Sequence, residues 1–502
     1  MSSAPPPSVP PGLPWRHALE GALSVATAVV AMAAAAWAAL TLLGGGAVAP
    51  VSRLVPMMVS TAVGGGVTVE SAPSAESADG GGLGGGGLGG LLGGLGGGGG
   101  MSLGLTGEAA LTPLTLTFLG MAVLTIAFFR PLRRRQRPAP ALLWARCGGA
   151  LATTTVVFPV IAALAQGTAR LPESVTERFG KGASSGALSR FTGGGGGGLT
   201  KGLSSVMFET DAVATTFFGL LWVAAVLAVG CLAARRTTLP RPLALSRLRL
   251  KWNAVTSTLT GIAAVLCCSA LAVALLAGAA ALTGREQAAK AAGVLLLLGP
   301  NLIAVLLTAG LGTSWEAGMH RVQSEGGGGM LGMLGGAAQG DTGSTEKSVD
   351  LGGWSGAGVP LWLIAMAVVL LLLVIAGYVA AARTPARTLR EDSEALLDRH
   401  VEIALRMGVA VGIAALLLPL LAHGSLRIGI SLMGNEMGGL TAGLDGGPGL
   451  SALTGFALAA LASYAGSRLH SRRARRLGRA PQPPGSTSRR PATARVRSDS
   501  AS

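Results

Sequence analysis

One recurrence limits this chain more than any other feature. Long apolar runs, each uncharged at its centre, return along it with two alternating kinds of connector between them. A helix that crosses a bilayer needs about 20 apolar residues. Eight runs meet that need: 18–43, 110–129, 147–166, 212–234, 254–283, 359–382, 403–422 and 449–466. Charged residues make up 12% of the 502, against about 25% in an ordinary soluble domain. Mean hydropathy is +0.56. A standard soluble enzyme, a charged disordered chain and a disulfide scaffold are all excluded. The expected fold is all-α: a polytopic transmembrane helix bundle over 18–466. Residues 1–17 form a Pro-rich N-terminus and 467–502 a disordered basic tail.

The first run is too long for a signal core of 7–15 residues. Ala47-Val48-Ala49 resembles a cleavage site, but Pro50 follows it directly. The segment is therefore expected to stay as a span.

The connectors set the topology. Residues 130–146 carry six Arg and no acid, and 235–251 carry five Arg, one Lys and no acid. Residues 383–406 carry five Arg and five acids, and 467–502 ten Arg and one acid. The alternate connectors, 44–108, 167–211, 313–358 and 423–448, are long and Gly-rich. Short basic loops stay in the cytoplasm. On that rule both termini are cytoplasmic. The inner side then carries 28 basic and 7 acidic groups, and the outer side 11 and 16. The split supports that topology, and the Arg, Ala, Gly and Pro bias suits a GC-rich bacterial genome.

A ninth apolar run, 288–311, is interrupted by Gly299-Pro300-Asn301. The spans on either side require it to cross an even number of times or not at all. Two half-helices meeting at Pro300 satisfy this as a re-entrant or interfacial element, because proline removes a donor and breaks the helix. A full ninth span would place an arginine-rich loop outside. Gly299, Pro300 and Asn301 are thus the candidate structural or functional break. Four outward-inward hairpins also form a weak repeat, with Pro50, Pro159, Pro300 and Pro419 near outer ends. Compositional bias explains it more simply than duplication.

Little else carries chemistry. No span has Asp, Glu, Lys, Arg or His at its centre, which argues against a proton-driven transporter. The hydroxyl clusters Thr153–Thr155 and Thr256–Thr260 are expected to bond their own helices. Cys147, Cys231, Cys267 and Cys268 lack metal-ligand spacing and read as small hydrophobes. Residues 80–100 hold 16 Gly and 5 Leu and read as a flexible linker. Their many G-x-G-x-x-G matches mean nothing without a strand before and a helix after. Glu316 and His320 would share a helical face after Trp315, but two ligands do not make a metal site. Trp15, Trp144 and Trp252 flank inner ends, and Trp315, Trp354 and Trp362 outer ends, as interfacial tryptophans do. Glu402 and Arg406 form an i,i+4 pair on a helix expected over 391–406. No catalytic, cofactor or metal site is read, and no cofactor is expected.

Gly299-Pro300-Asn301, followed by Gly310, Gly312 and Trp315, resembles the streptophobe family. These are large, very hydrophobic membrane proteins of streptomycetes without an assigned activity. The resemblance implies an actinobacterial plasma-membrane protein and supplies no catalytic residues. The expected role is a non-enzymatic membrane or envelope-associated component. A permease or channel-like conduit at the Pro300 break is the alternative. The expected partner is the bilayer, with anionic lipid available to the Arg-rich tail; nucleic acid is not expected.

Overall fold

A computed structural model describes residues 14–71, 103–134, 139–170, 205–234, 239–240, 245–281, 286–323, 349–350, 355–356, 359–384, 398–432 and 435–478. Ten helices lie within them. These are α1 (Pro14–Leu43), α2 (Val51–Ala62), α3 (Leu114–Arg134), α4 (Pro140–Leu164) and α5 (Ala212–Ala233). The other five are α6 (Arg247–Ala281), α7 (Glu286–Gly310), α8 (Leu361–Arg383), α9 (Arg399–Ala422) and α10 (Pro448–Gly478). Nine of these, all except α2, are long and apolar enough to cross a membrane. The chain is a multi-pass integral membrane protein with a helix-bundle fold.

The Gly-rich connectors do more than link helices. Each contributes two strands: β1 (Val67–Ser71) and β2 (Leu103–Leu111), then β3 (Gly167–Arg170) and β4 (Ser205–Thr210). The later pairs are β5 (Trp315–Gln323) with β6 (Val349–Asp350), and β9 (Gly424–Leu432) with β10 (Asn435–Gly446). Together they form one antiparallel sheet in the order β3-β4-β1-β2-β9-β10-β5-β6. A two-stranded ribbon, β7 (Ser355–Gly356) and β8 (Val359–Pro360), precedes α8. The linker expected over 80–100 lies outside the described residues.

Strand alternation gives the sheet two unlike faces. Val67, Val206, Phe208 and Trp315 are buried on one face. Thr68, Glu70, Glu108, Glu209, Glu316, Arg427 and Asp445 are exposed on the other. The buried face rests on the bundle through Leu40, Ala49 and Leu54 beneath Val67 and Phe208.

Described arginines of the basic connectors lie at the opposite end, and several bond helix ends. Arg249 donates to the carbonyls of Cys231 (3.0 Å) and Ala234 at the end of α5. Arg399 donates to the Thr384 carbonyl just past α8, at 2.7 Å. Arg146 joins Glu20 at 3.0 Å and lies over the Phe128 ring. Cations suit these sites because the last carbonyls of a helix are unpaired and carry partial negative charge. The Glu402–Arg406 ion pair forms within α9 as expected. That helix begins at Arg399, and 391–397 lie outside the described residues. The tail expectation needs a correction, since α10 continues to Gly478. Arginine is a good helix former, and its charge is favourable in a last turn. Residues 479–502 lie outside the described residues.

The repeat is also corrected. The order long helix, second helix, hairpin, helix, helix, hairpin, helix describes α1 to α5 with β1–β4. It describes α6 to α10 with β5, β6, β9 and β10 equally well. The strand order β3-β4-β1-β2 becomes β9-β10-β5-β6 in the second half. Bias in composition does not produce matching topologies, so the chain is built as two similar halves. The prolines are poor markers of it: Pro159, Pro300 and Pro419 lie inside helices, whereas Pro50 only precedes α2.

Candidate functional site: the Pro300 segment and the start of α3

The expectation of two half-helices is wrong in its local structure. Residues 286–310 form one helix with Pro300 inside it. Proline lacks an N–H, so the Leu296 carbonyl loses its helical donor. The neighbouring Leu297 carbonyl accepts from the Thr115 hydroxyl at 3.0 Å, in a buried setting. A donor from α3 thus reaches the weakened turn, which lets the helix run on through an apolar interior.

The contacts of α7 give its position. Gly293 packs on Leu43 and the Ala39 carbonyl, at the sheet end of α1. Gly310 packs on Ala365 and Val369, in the first turns of α8. The chain then enters β5, within the sheet. Both ends of α7 therefore lie at the sheet end, although α7 is long enough to cross. It descends beside α6, with Ala292 against Gly278 and Gly299 near Ala270.

Asn301 is the polar centre of the segment. Its Oδ1 accepts from the Leu114 backbone N–H at 2.9 Å, and its Nδ2 donates to the Thr112 carbonyl at 2.8 Å. Leu114 opens α3, where the first N–H groups have no intrahelical acceptor. Asn301 thus caps a helix from the other half of the molecule. Thr117, one turn on, donates to the Ala62 carbonyl at the end of α2 at 2.6 Å. The Ser60 and Thr215 hydroxyls meet at 2.7 Å. The start of α3 therefore receives the tip of α2 and the middle turns of α7, while the α7 tip lies against α8.

Both tips end alike. Gly64 has φ +105° and Gly312 φ +89°, the left-handed conformation that glycine adopts without Cβ strain. Gly65 N–H bonds the Ser60 carbonyl at 2.9 Å, and Thr313 N–H bonds the Thr308 carbonyl at 3.0 Å. These are matching Schellman turns. Trp315 follows the second turn. It is 1% exposed, and its Nε1 donates to Thr308 Oγ1 at 2.9 Å. The interfacial reading of Trp315 is therefore replaced by a core position among Leu114, Ala304 and Ala422.

The other sequence candidates separate cleanly. Thr153, Thr154 and Thr155 bond carbonyls of their own helix, and so do Thr256, Ser257, Thr258 and Thr260. Glu316 and His320 lie on strand β5, not on a helix, opposite Asp445 and Thr441. Among the described residues, no three His, Cys, Asp or Glu side chains gather as metal ligands. Ser60, Thr115, Thr117, Thr215 and Thr308, which bond across elements, were not singled out in the sequence. The only available signal was Thr112, Thr115 and Thr117 clustered around Pro113 at a helix start.

No protein-family model, curated protein or solved structure matches the chain.

Proposed function

We propose that this chain is a non-enzymatic component of a bacterial plasma membrane whose sheet is a docking platform on the outer side. Both termini then lie in the cytoplasm, and the resemblance to the streptophobe family is consistent with that setting. One observation carries the reading: all four Gly-rich connectors, which hold most of the acids, contribute strands to a single sheet with a polar exposed face. Building one surface from four separate loops is costly in loop-closure entropy, and a polar face available to a partner gives that cost a purpose. The hydrogen bonds around Asn301 support a clasp at the Pro300 segment rather than a conduit. Anionic lipid remains the partner expected for the Arg-rich end of the chain.

The test places a cysteine at Glu108 in a cysteine-free chain and treats intact cells with an impermeant thiol reagent. Labelling is expected, and labelling only after lysis would overturn the sidedness. A photo-crosslinker at the same position is then expected to capture a discrete envelope partner. Absence of any adduct, together with solute flux in proteoliposomes, would replace the platform with a conduit.

A further inference from the structure

The two halves of the sheet share one register at their aligned positions. The twin Schellman turns align Val67 with Trp315. Val67 lies opposite Thr210, and Trp315 opposite Gly446, so β4 and β10 align at those positions. Gly167 lies opposite Phe208, and Gly424 opposite Leu444. Gly167 therefore corresponds to Gly424, and Arg170 to Arg427. The side-chain pairs follow the same rule. Gln166 bonds Glu209 at 2.9 Å, and His423 contacts Asp445 at 3.0 Å. These are equivalent residues in equivalent contacts.

The halves are joined through β2 and β9, where Glu108 lies directly opposite Arg427. Opposite charges facing across an antiparallel pair are favourable. Thr68 lies opposite Glu108, and Glu316 opposite Asp350, so Asp350 corresponds to Glu108. Among the described strands the two outermost, β3 and β6, thus carry Arg170 and Asp350 at the registers that Arg427 and Glu108 occupy in the central junction. The edges repeat the chemistry of a junction that is already made.

We infer that the β3 and β6 edges pair with each other, Arg170 opposite Asp350, closing the eight strands into a barrel. Three further points lead there. Both halves share one membrane, so the operation relating them is a rotation about its normal, and a rotation that closes after two steps makes every junction twice. Eight strands suffice for a closed barrel whose interior side chains can fill. On the apolar face of the central junction, Leu111 is 46% and Leu426 43% exposed. In a closed barrel that face turns inward, which takes these leucines out of water.

The experiment uses the full cysteine-free chain with a protease site in the 235–246 connector between the halves. Arg170→Cys with Asp350→Cys is treated in membranes with a short bis-maleimide and then cleaved. Glu108→Cys with Arg427→Cys is the reference pair for the established junction. The expected result is that both pairs hold the two halves together at monomer size. Separation of the halves in the 170/350 variant, with the reference crosslinked, overturns the closure. A crosslinked dimer also overturns it and assigns the edges to a second copy. Charge exchange provides an independent readout: Arg170→Asp is expected to lower the thermal midpoint and Arg170→Asp with Asp350→Arg to restore it. No restoration would count against the pair.

Discussion

Asn301 shows how one side chain can tie distant parts of a membrane protein together. It serves a donor and an acceptor at the head of α3 from within α7. Removing it leaves Leu114 N–H and the Thr112 carbonyl unpaired, and such buried groups cost about 1–3 kcal/mol each. Asn301→Ala is therefore expected to lower the unfolding midpoint clearly in detergent, read by thermal scanning. Pro300→Ala should behave oppositely. It restores a donor to the Leu296 carbonyl in a helix that is already continuous, so stability should be unchanged or raised. A loss as large as that of Asn301→Ala would show that the ring itself is needed. Gly377 presents a third case. A Cβ there would lie 2.4 Å from Ser463 Cα, and neither backbone can retreat. Gly377→Val is expected to abolish accumulation of folded protein, measured by monodispersity on size exclusion.

At the level of elements, the sequence revealed its helices and hid its strands. Apolar runs of 20 or more residues are legible because lipid demands them, and each of the eight assigned spans overlaps an observed helix. The strands were not legible, because glycine dominates their connectors and glycine is depleted in strands. Gly104, Gly107, Gly429, Gly438, Gly439 and Gly443 all sit in ladders. The alternation Val67, Thr68, Val69, Glu70 was visible but short. The break at Pro300 was legible as a position and misread as a turn. Proline speaks only for its own helix, whereas Thr115 and Asn301 act between helices. The twin turns allow a test of the duplication. Gly312 has open space around its missing Cβ, so Gly312→Ala meets only the left-handed backbone penalty, about 1–2 kcal/mol. Gly64→Ala is expected to cost at least as much, because Phe218 Cβ lies 3.3 Å from the added Cβ. Equilibrium unfolding of the two variants in mixed micelles checks the pair.

Across the whole molecule, the halves meet at several places, Arg249 on the end of α5 among them, and two of these differ most in chemistry. One is the nine-residue β2–β9 ladder. The other is the α7–α3 clasp, with α1 packed on α7 at Gly293. Residues 1–238 and 239–502, expressed as separate chains, are therefore expected to assemble and co-purify through a tag on one of them. Asn301→Ala combined with Gly107→Pro, which removes a ladder donor, should reduce that recovery strongly. Equal recovery from both versions would mean that the halves are held elsewhere.

The central ladder also has a consequence for biosynthesis. Strand β2 leaves the ribosome early, but its partner β9 is made more than half a chain later. Throughout that interval the growing protein presents an unpaired strand edge beyond the bilayer. Free edges invite pairing with whatever strand is nearby, and pairings distant in sequence form slowly. Nascent chains stalled before residue 424 should therefore be the aggregation-prone species, and those released after 446 should not.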